Sequence, residues 1–196
     1  MVAKQTGLSR KRRKSPPLDQ ARLEEIALAY VARFATTRGK LLAYLQRKIR
    51  ERGASEDGPA LDPEAVADRL IELRYIDEEA FARARSQGLL HRGYGARRVE
   101  QALHAAGINA ELREELAPGE AAARQAALAL ARKRRFGPYG ALADSEPPDR
   151  ALREKQIAAM IRAGHDYSIA RALIETTSTG EAEDWAREAQ DDCDEV

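Results

Sequence analysis

Apolar residues recur every three or four positions along most of this chain, which is the spacing of amphipathic helices. The clearest stripe predicts a helix over residues 19–35, with its apolar side chains at Leu23, Ile26, Ala27, Tyr30, Val31 and Phe34. Eight further helices are predicted after it, the last of them beginning behind Asp166. From Thr177 onward we expect a loose acidic tail, in which Trp185 is the one large apolar residue.

Capping residues mark the borders of several of these helices. A Thr, Asp or Asn side chain before a helix accepts a hydrogen bond from an amide of the first turn, and glycine is favoured just past the last turn. The predicted N-caps are Thr37, Asp62 (followed by Pro63 as the first helical residue), Asp77 and Asn109. The predicted helix-ending glycines are Gly53, Gly107 and Gly164. The chain is therefore expected to form many short helices.

The most informative stretch, residues 74–108, predicts a helix, a tight basic turn and a second helix. The first helix carries a stripe of small or apolar residues at Phe81, Ala84 and Gly88. The turn falls at residues 91–95, because two glycines one residue apart favour a turn. The second helix starts near Ala96 and presents one apolar face, formed by Val99, Ala102, Leu103 and Ala106.

The three helix-ending glycines indicate an internal repeat. Four residues before them lie Ile49, Leu103 and Met160. We interpret this as a helix–helix–short-helix unit used three times, although any amphipathic helix ending in glycine would look similar. The predicted fold is all-α, an elongated, solenoid-like array of three three-helix repeats with disordered charged tails. Its predicted parts are a basic tail over 1–17, repeats over 18–75, 76–118 and 119–176, and an acidic tail over 177–196.

Composition agrees with helices and adds a charge asymmetry. Only 5% of the 196 residues are aromatic and 33% are charged, and the net charge is +1. Residues 1–17 carry six Lys or Arg and no acid, whereas residues 177–196 carry eight Asp or Glu and one Arg. Cys193 is the only cysteine, so no intramolecular disulfide can form. Without an apolar run near 20 residues or a secretory signal, we expect a cytoplasmic protein with no membrane partner.

The sequence offers no catalytic or cofactor-binding constellation. The Gly93-Tyr94-Gly95 segment fails the dinucleotide pattern, because Arg98 stands where the third glycine belongs. The three histidines fall on different predicted segments, without cysteine or carboxylate at metal-ligand spacing. We therefore expect no catalytic residue, cofactor, metal or small-molecule substrate, and interpret the protein as one that is not an enzyme.

Candidate binding residues are basic. Three sets stand beside the basic N-terminal tail: Arg38, Lys40, Arg47 and Lys48; Arg92, Arg97 and Arg98 with Tyr94; and Arg132, Lys133, Arg134 and Arg135. A solvated helix face is an equally good interpretation of the last set. The interpretation as a solvated helix face is weaker for Arg97 and Arg98, because positive charge at a helix N-terminus is unfavourable. An acidic partner or phosphate would compensate this charge. Tyr94 is either a contact residue or an aromatic plug between helices.

Three motifs resemble the RecX family of bacterial regulators of the RecA recombinase. They are YIDEEAFA, then RGYGARRV, then an apolar–x–x–x–apolar step into AGI, in the order of that family's middle repeat. The resemblance extends over about residues 18–175. It is good in the first repeat, through YVARFATTRGKLLAYLQRKIRERG, and weak in the third.

This resemblance implies a function as well as a fold. RecX proteins are elongated, three-repeat helical proteins that bind RecA filaments on DNA and inhibit their ATPase, strand-exchange and co-protease activities. They thereby damp recombinational repair and the SOS response. The expected partners are the RecA filament and DNA, the latter bound as a single strand, weakly or through the filament. The alternatives are a stand-alone nucleic-acid-binding helical protein and a helical scaffold for an unrelated protein.

Overall fold

A computed structural model describes residues 16–56, 58–140 and 149–194, and these residues form ten α-helices and no β-strand. The basic tail therefore lies outside the described residues, apart from Pro16 and Pro17. The helices are α1 Gln20–Val31, α2 Arg38–Arg52, α3 Pro63–Glu72, α4 Glu78–His91, α5 Ala96–His104, α6 Ala110–Glu115, α7 Glu120–Arg134, α8 Arg150–Arg162, α9 Tyr167–Glu175 and α10 Thr179–Asp194, with a 3-10 turn at Gly137–Tyr139. The all-α prediction is confirmed.

The chain divides into two compact units, Met1–Ile76 and Asp77–Val196. In the first unit, α1, α2 and α3 enclose one core, formed by Leu18, Leu23, Ala27, Leu41, Leu45, Val66, Ala67, Leu70 and Ile76. Leu18 ties the start of this unit to the end of α2. Its amide donates to the carbonyl of Gly53 at 2.9 Å, and its carbonyl accepts from the amide of Ser55 at 2.8 Å.

The first helix is shorter than predicted. It ends at Val31, and the amide of Phe34 donates to the carbonyl of Tyr30 at 3.1 Å in the turn that follows. Phe34 is 57% exposed and does not contribute to the core. The predicted helix is one turn too long. A spacing of three residues between apolar side chains is compatible both with a last helical turn and with the turn that ends a helix.

The second unit contains two cores. Helices α4, α5 and α6 enclose Ala82, Leu89, Val99, Leu103, Ala106 and Ile108. Helices α7, α8, α9 and α10 enclose the larger one, formed by Ala127, Leu128, Leu130, Ala131, Met160, Ala170, Leu173, Ile174, Ala182 and Ala186. The predicted stripe of α4 is wrong in part, because Ala84 is exposed and Ser86 is buried instead. Small side chains lie on opposite faces of α4, so the difference in hydrophobicity between the faces was too small to predict which face is buried.

Local caps form as the sequence predicts. The side chains of Thr37, Asp62, Asp77 and Asn109 each accept a bond from an amide of the helix that follows. At the end of α5, Ile108 donates to Leu103 at 3.2 Å and Gly107 donates to His104 at 2.9 Å, which is a Schellman motif with Gly107 at its left-handed position. The same motif ends α3. Arg74, with φ 61°, occupies the left-handed position there, so no glycine in the sequence marks this helix end.

The predicted acidic tail is a helix, which corrects the expectation of a loose segment from Thr177. Helix α10 packs along α7 and buries Ala182, Ala186 and Ala189. Trp185 is half-buried against the core of this part, where the Arg124 guanidinium lies 5.0 Å from its ring. The alanines repeat at helical spacing, but alanine is weakly apolar and the surrounding carboxylates concealed the pattern. The side chains of residues 190–194 lie outside the described ones.

Candidate cationic binding surfaces

The turn between α4 and α5 fits against the turn between α8 and α9. The amide of Gly95 donates to the carbonyl of Ala163 at 3.0 Å, and the amide of Arg97 donates to the carbonyl of Gly164 at 3.1 Å. A Cβ atom added to Gly95 would lie 2.3 Å from the carbonyl carbon of Gly164, so only glycine permits this approach. The two turns therefore form one junction inside the second unit.

His165 completes the junction. Its Nε2 atom lies 3.0 Å from the carbonyl oxygen of Gly93, so the neutral ring carries its proton on Nε2 and donates it there. The side chain is buried, and among the described residues its Nδ1 atom has no hydrogen-bond partner. Burial lowers the pKa of His165, which the Gly93 bond and Asp166 only partly oppose. His165 is therefore a buried residue that joins the two turns.

The junction also bears on the charge of Arg97 and Arg98. The carbonyls of Ala163 and Gly164, at the end of α8, accept the amides of Gly95 and Arg97, so their partial negative charge lies at the N-terminal end of α5. Compensation by an external acid or phosphate stays a prediction, and it would involve the two arginine side chains.

Those side chains point to solvent. Arg92, Arg97 and Arg98 are exposed, and none of them forms an ion pair among the described residues. Tyr94 is 36% exposed, and the Arg98 guanidinium lies 6.0 Å from its ring centre. Tyr94 is thus accessible rather than enclosed between helices. Three guanidinium groups and one phenol form a compact accessible set, the turn surface.

The basic end of α7 lies in the same unit. An added Cβ on Gly93 would come within 2.8 Å of the Leu130 amide nitrogen, so the turn packs on α7 one helical turn before Arg134. Lys133, Arg134 and Arg135 are exposed and unpaired within the part of the chain that the structure describes. These three residues, near the negative end of the α7 dipole, extend the cationic character of the turn surface.

Arg132 differs from its three neighbours. Its Nη2 atom lies 2.6 Å from Oε1 of Glu183 on α10, and its guanidinium lies 5.6 Å from the ring centre of Tyr139. Hydrogen bonds to Tyr139 and Glu183 raise the pKa of Arg132 above its usual range. The contact with Glu183 joins α7 to α10. This structural role explains why a positively charged residue stands at position 132.

The basic residues of α2 are also largely engaged within their own unit. Arg38 binds Asp68 through two contacts, at 2.6 and 3.1 Å, and thereby lowers the pKa of that carboxyl group. Glu51 pairs with Lys48 at 2.9 Å and with Arg47 at 3.4 Å, and the Lys48 bond is the main cause of its lowered pKa. This set is thus less available than the turn surface.

Three aromatic rings in the first unit form a stack that the sequence did not reveal. Tyr30 and Tyr44 lie with ring centres 4.2 Å apart and an interplanar angle of 18°, and Phe34 lies 5.3 Å from Tyr30. On the other side of Tyr44, Arg47 and Lys48 lie 5.4 and 5.7 Å from the ring centre. Tyr30 and Phe34 were assigned to a core stripe from their spacing. In the sequence, Tyr30 and Phe34 lie shortly before the basic residues of α2. This closeness in sequence was the signal that could have indicated the arrangement.

Two specific features are absent from the described residues. Within residues 16–56, 58–140 and 149–194, no three His, Cys, Asp or Glu side chains are placed to hold a metal ion. No helix in these segments is long and apolar enough to cross a membrane.

Comparison with known proteins identifies the family of this chain. The regulatory protein RecX of Myxococcus xanthus (strain DK1622) is 32% identical over 182 residues, covering 88% of this chain and 92% of the relative. The chain belongs to the RecX family. Regulatory protein RecX of Mycobacterium sp. (strain JLS) is 31% identical over 85% of this chain and 90% of its own length. The family model of the second three-helix domain of RecX matches residues 77–116, which include the turn surface at Arg92, Tyr94, Arg97 and Arg98.

Solved RecX structures share the fold. The crystal structure of RecX from Lactobacillus salivarius superposes with a TM-score of 0.60 at 19% identity, covering 79% of this chain and 94% of that one. A second crystal structure of regulatory protein RecX gives a TM-score of 0.61 at 19% identity, over 80% of this chain and 71% of that one. The chain is therefore an all-α member of a family of regulatory proteins.

Proposed function

We propose that this chain binds the RecA recombinase filament on DNA and inhibits its ATPase, strand-exchange and co-protease activities, thereby damping recombinational repair and the SOS response. It acts in the cytoplasm by binding and carries out no reaction of its own. The proposal assigns the contact to the exposed basic side chains of the second unit, which recognise acidic protein surface or DNA phosphate.

One observation carries this proposal: the guanidinium groups of Arg92, Arg97 and Arg98 are accessible and unpaired among the described residues. By contrast, Arg38, Arg47 and Arg132 have carboxylate partners in their own unit. A guanidinium group without an internal partner can bind an external acid without first breaking an ion pair within the chain. Their place within the matched RecX domain supports a regulatory role for this set.

The test measures ATP hydrolysis by RecA on single-stranded DNA while this protein is added. We expect hydrolysis to fall as the protein approaches stoichiometric excess. Arg97→Gln should raise the concentration for half-inhibition about tenfold, because a charge-assisted contact is lost. Arg83→Gln is the matched control, because its guanidinium belongs to the same unit but already pairs with Glu79 at 2.6 Å. Unchanged hydrolysis at excess protein would refute the proposal.

A second candidate function is stand-alone binding of nucleic acid, which the Tyr94 ring beside Arg98 favours. Binding dominated by phosphate contacts weakens steeply between about 50 and 200 mM salt. Tight binding to DNA that does not depend on RecA, with that salt dependence, would favour this candidate over filament regulation.

A further inference from the structure

Helices α1 and α3 form the walls of an open apolar groove on the first unit. Its volume is about 430 Å³, which is the size of many ligand and peptide pockets. Val66 and Leu70 line it as buried residues, whereas Leu28, Leu73 and Tyr75 line it while being 45, 52 and 55% exposed. Exposed apolar side chains that share one groove are typical of a surface that another chain segment covers.

Carboxylates at the groove favour a cationic occupant. Glu24 and Glu25 line the α1 side, are exposed, and form no ion pair among the described residues. Arg69 contributes one guanidinium group from α3, so the two carboxylates leave the lining with an excess of negative charge. This charge disfavours phosphate and favours a segment that combines an apolar side chain with lysine or arginine.

The two helices run side by side in the same direction. At their starts, the side-chain oxygen of Gln20 accepts a bond from the amide of Asp62 at 3.1 Å, and farther along them Leu28 and Leu73 line the same groove. Leu18, two residues before α1, is fixed by its two backbone bonds to the segment that follows α2. The basic tail therefore joins the first unit beside the starting end of the groove.

We propose that residues 8–14 of the basic tail occupy this groove as its intramolecular ligand. Counting back from Leu18, the five cations of residues 10–14 come first and Leu8 follows. The groove has the same order, because its two carboxylates precede its exposed leucines along the helices. The cations thus meet the carboxylates, and Leu8 meets the exposed apolar end. This contact goes beyond the proposed function, since it requires no recombinase.

The length and attachment of the tail favour it over a separate partner. From Ala21 to Leu28 the groove follows about two turns of α1, or about 10 Å. The segment from Leu8 to Leu18 spans up to about 33 Å when extended, so Leu8 can reach the far end. A tethered segment is also present at an effective concentration of about 1 mM, which a separate protein rarely reaches.

Limited trypsin digestion of the full chain measures this contact, because residues 10–14 supply five cleavage sites. A docked tail is cleaved only when it is released, so the cleavage rate reports the released fraction. A synthetic peptide of residues 1–17 should therefore be cleaved about tenfold faster than the same residues in the chain.

Variants of the groove locate the contact without changing the cleavage sites. Leu73→Ser should speed cleavage after residues 10–14 about 3- to 10-fold, because it removes apolar area that Leu8 would cover. Leu8→Ser should have a similar effect and add little in the double variant, because both changes remove one contact. Leu152→Ser, at a 41% exposed residue of α8, is the matched control and should leave the rate unchanged.

Each contrary result is specific. Equal cleavage of the peptide and the chain, or equal rates in Leu73→Ser and Leu152→Ser, would overturn the contact. Protection that grows with protein concentration would overturn it by identifying the tail of a second copy as the occupant. Loss of RecA inhibition in Leu73→Ser with unaltered cleavage would overturn it by assigning the groove to the filament. Because the digestion contains no RecA, its failure leaves filament regulation intact, and failure of the ATPase test leaves this contact intact.

Discussion

Replacing Gly95 with alanine should open the junction between the α4–α5 turn and the α8–α9 turn. The new Cβ atom would lie 2.3 Å from the carbonyl carbon and oxygen of Gly164 and 2.4 Å from the amide nitrogen of His165. These atoms belong to the backbone and cannot be avoided by rotating a side chain. The two turns must therefore separate.

The magnitude follows from what separation breaks. Two backbone hydrogen bonds join the turns, from Gly95 to Ala163 at 3.0 Å and from Arg97 to Gly164 at 3.1 Å, and each contributes about 0.5–1.5 kcal/mol. Relieving an overpacked contact costs about 1–3 kcal/mol more. We expect Gly95→Ala to lower the local stability of the junction by about 2–6 kcal/mol.

Amide hydrogen exchange on the full chain measures this change residue by residue. In Gly95→Ala the Arg97 amide should exchange about 30- to 20,000-fold faster than in the wild type, which corresponds to the expected free energy. Gly88→Ala is the matched control, because a Cβ there meets no atom within 4 Å. Since alanine favours helix, that control should be neutral or stabilising by about 1 kcal/mol. Exchange of Arg97 within threefold of the wild-type rate would refute the close-approach argument.

Three further predictions concern stability. Because burial lowers the pKa of His165, its unfolded form binds protons more readily, so the free energy of unfolding should fall as pH drops below about 6.5. Urea titrations should show that His165→Gln loses this part of the pH dependence, and an identical slope would contradict it. Arg74→Gly should stabilise the first unit by about 0.5–1 kcal/mol, because Arg74 holds φ at 61°; an unchanged or lower thermal midpoint would refute this. Trp185→Ala should weaken the docking of α10 by about 1–3 kcal/mol, through lost packing and the lost Arg124 contact. Faster exchange of α10 amides would confirm that effect, and unchanged protection would contradict it.

Features that depend on near neighbours are predictable from the sequence alone. Asp77 caps α4 by accepting a bond from the amide of Ala80, three residues away. Helix α5 ends where the amide of Gly107 donates to His104 and the amide of Ile108 donates to Leu103. Such contacts close within one turn of helix, so the residue types and their spacing suffice to predict them. The all-α class and most helix borders followed from the same local rules. The basic residues beside the glycine turn were also predicted from the sequence as binding residues, and that role stays a prediction.

Which distant segments meet depends on tertiary packing. The bond between His165 and Gly93 joins residues 72 positions apart, and the need for glycine at position 95 arises only because the backbone of Gly164 is opposite. Packing against α7 likewise made α10 a docked helix, although its sequence is dominated by acidic residues. Local sequence patterns indicate helix propensity and hydrophobic periodicity. The burial of a side chain and its ion-pair or hydrogen-bond partners depend on surfaces that come together from distant parts of the sequence.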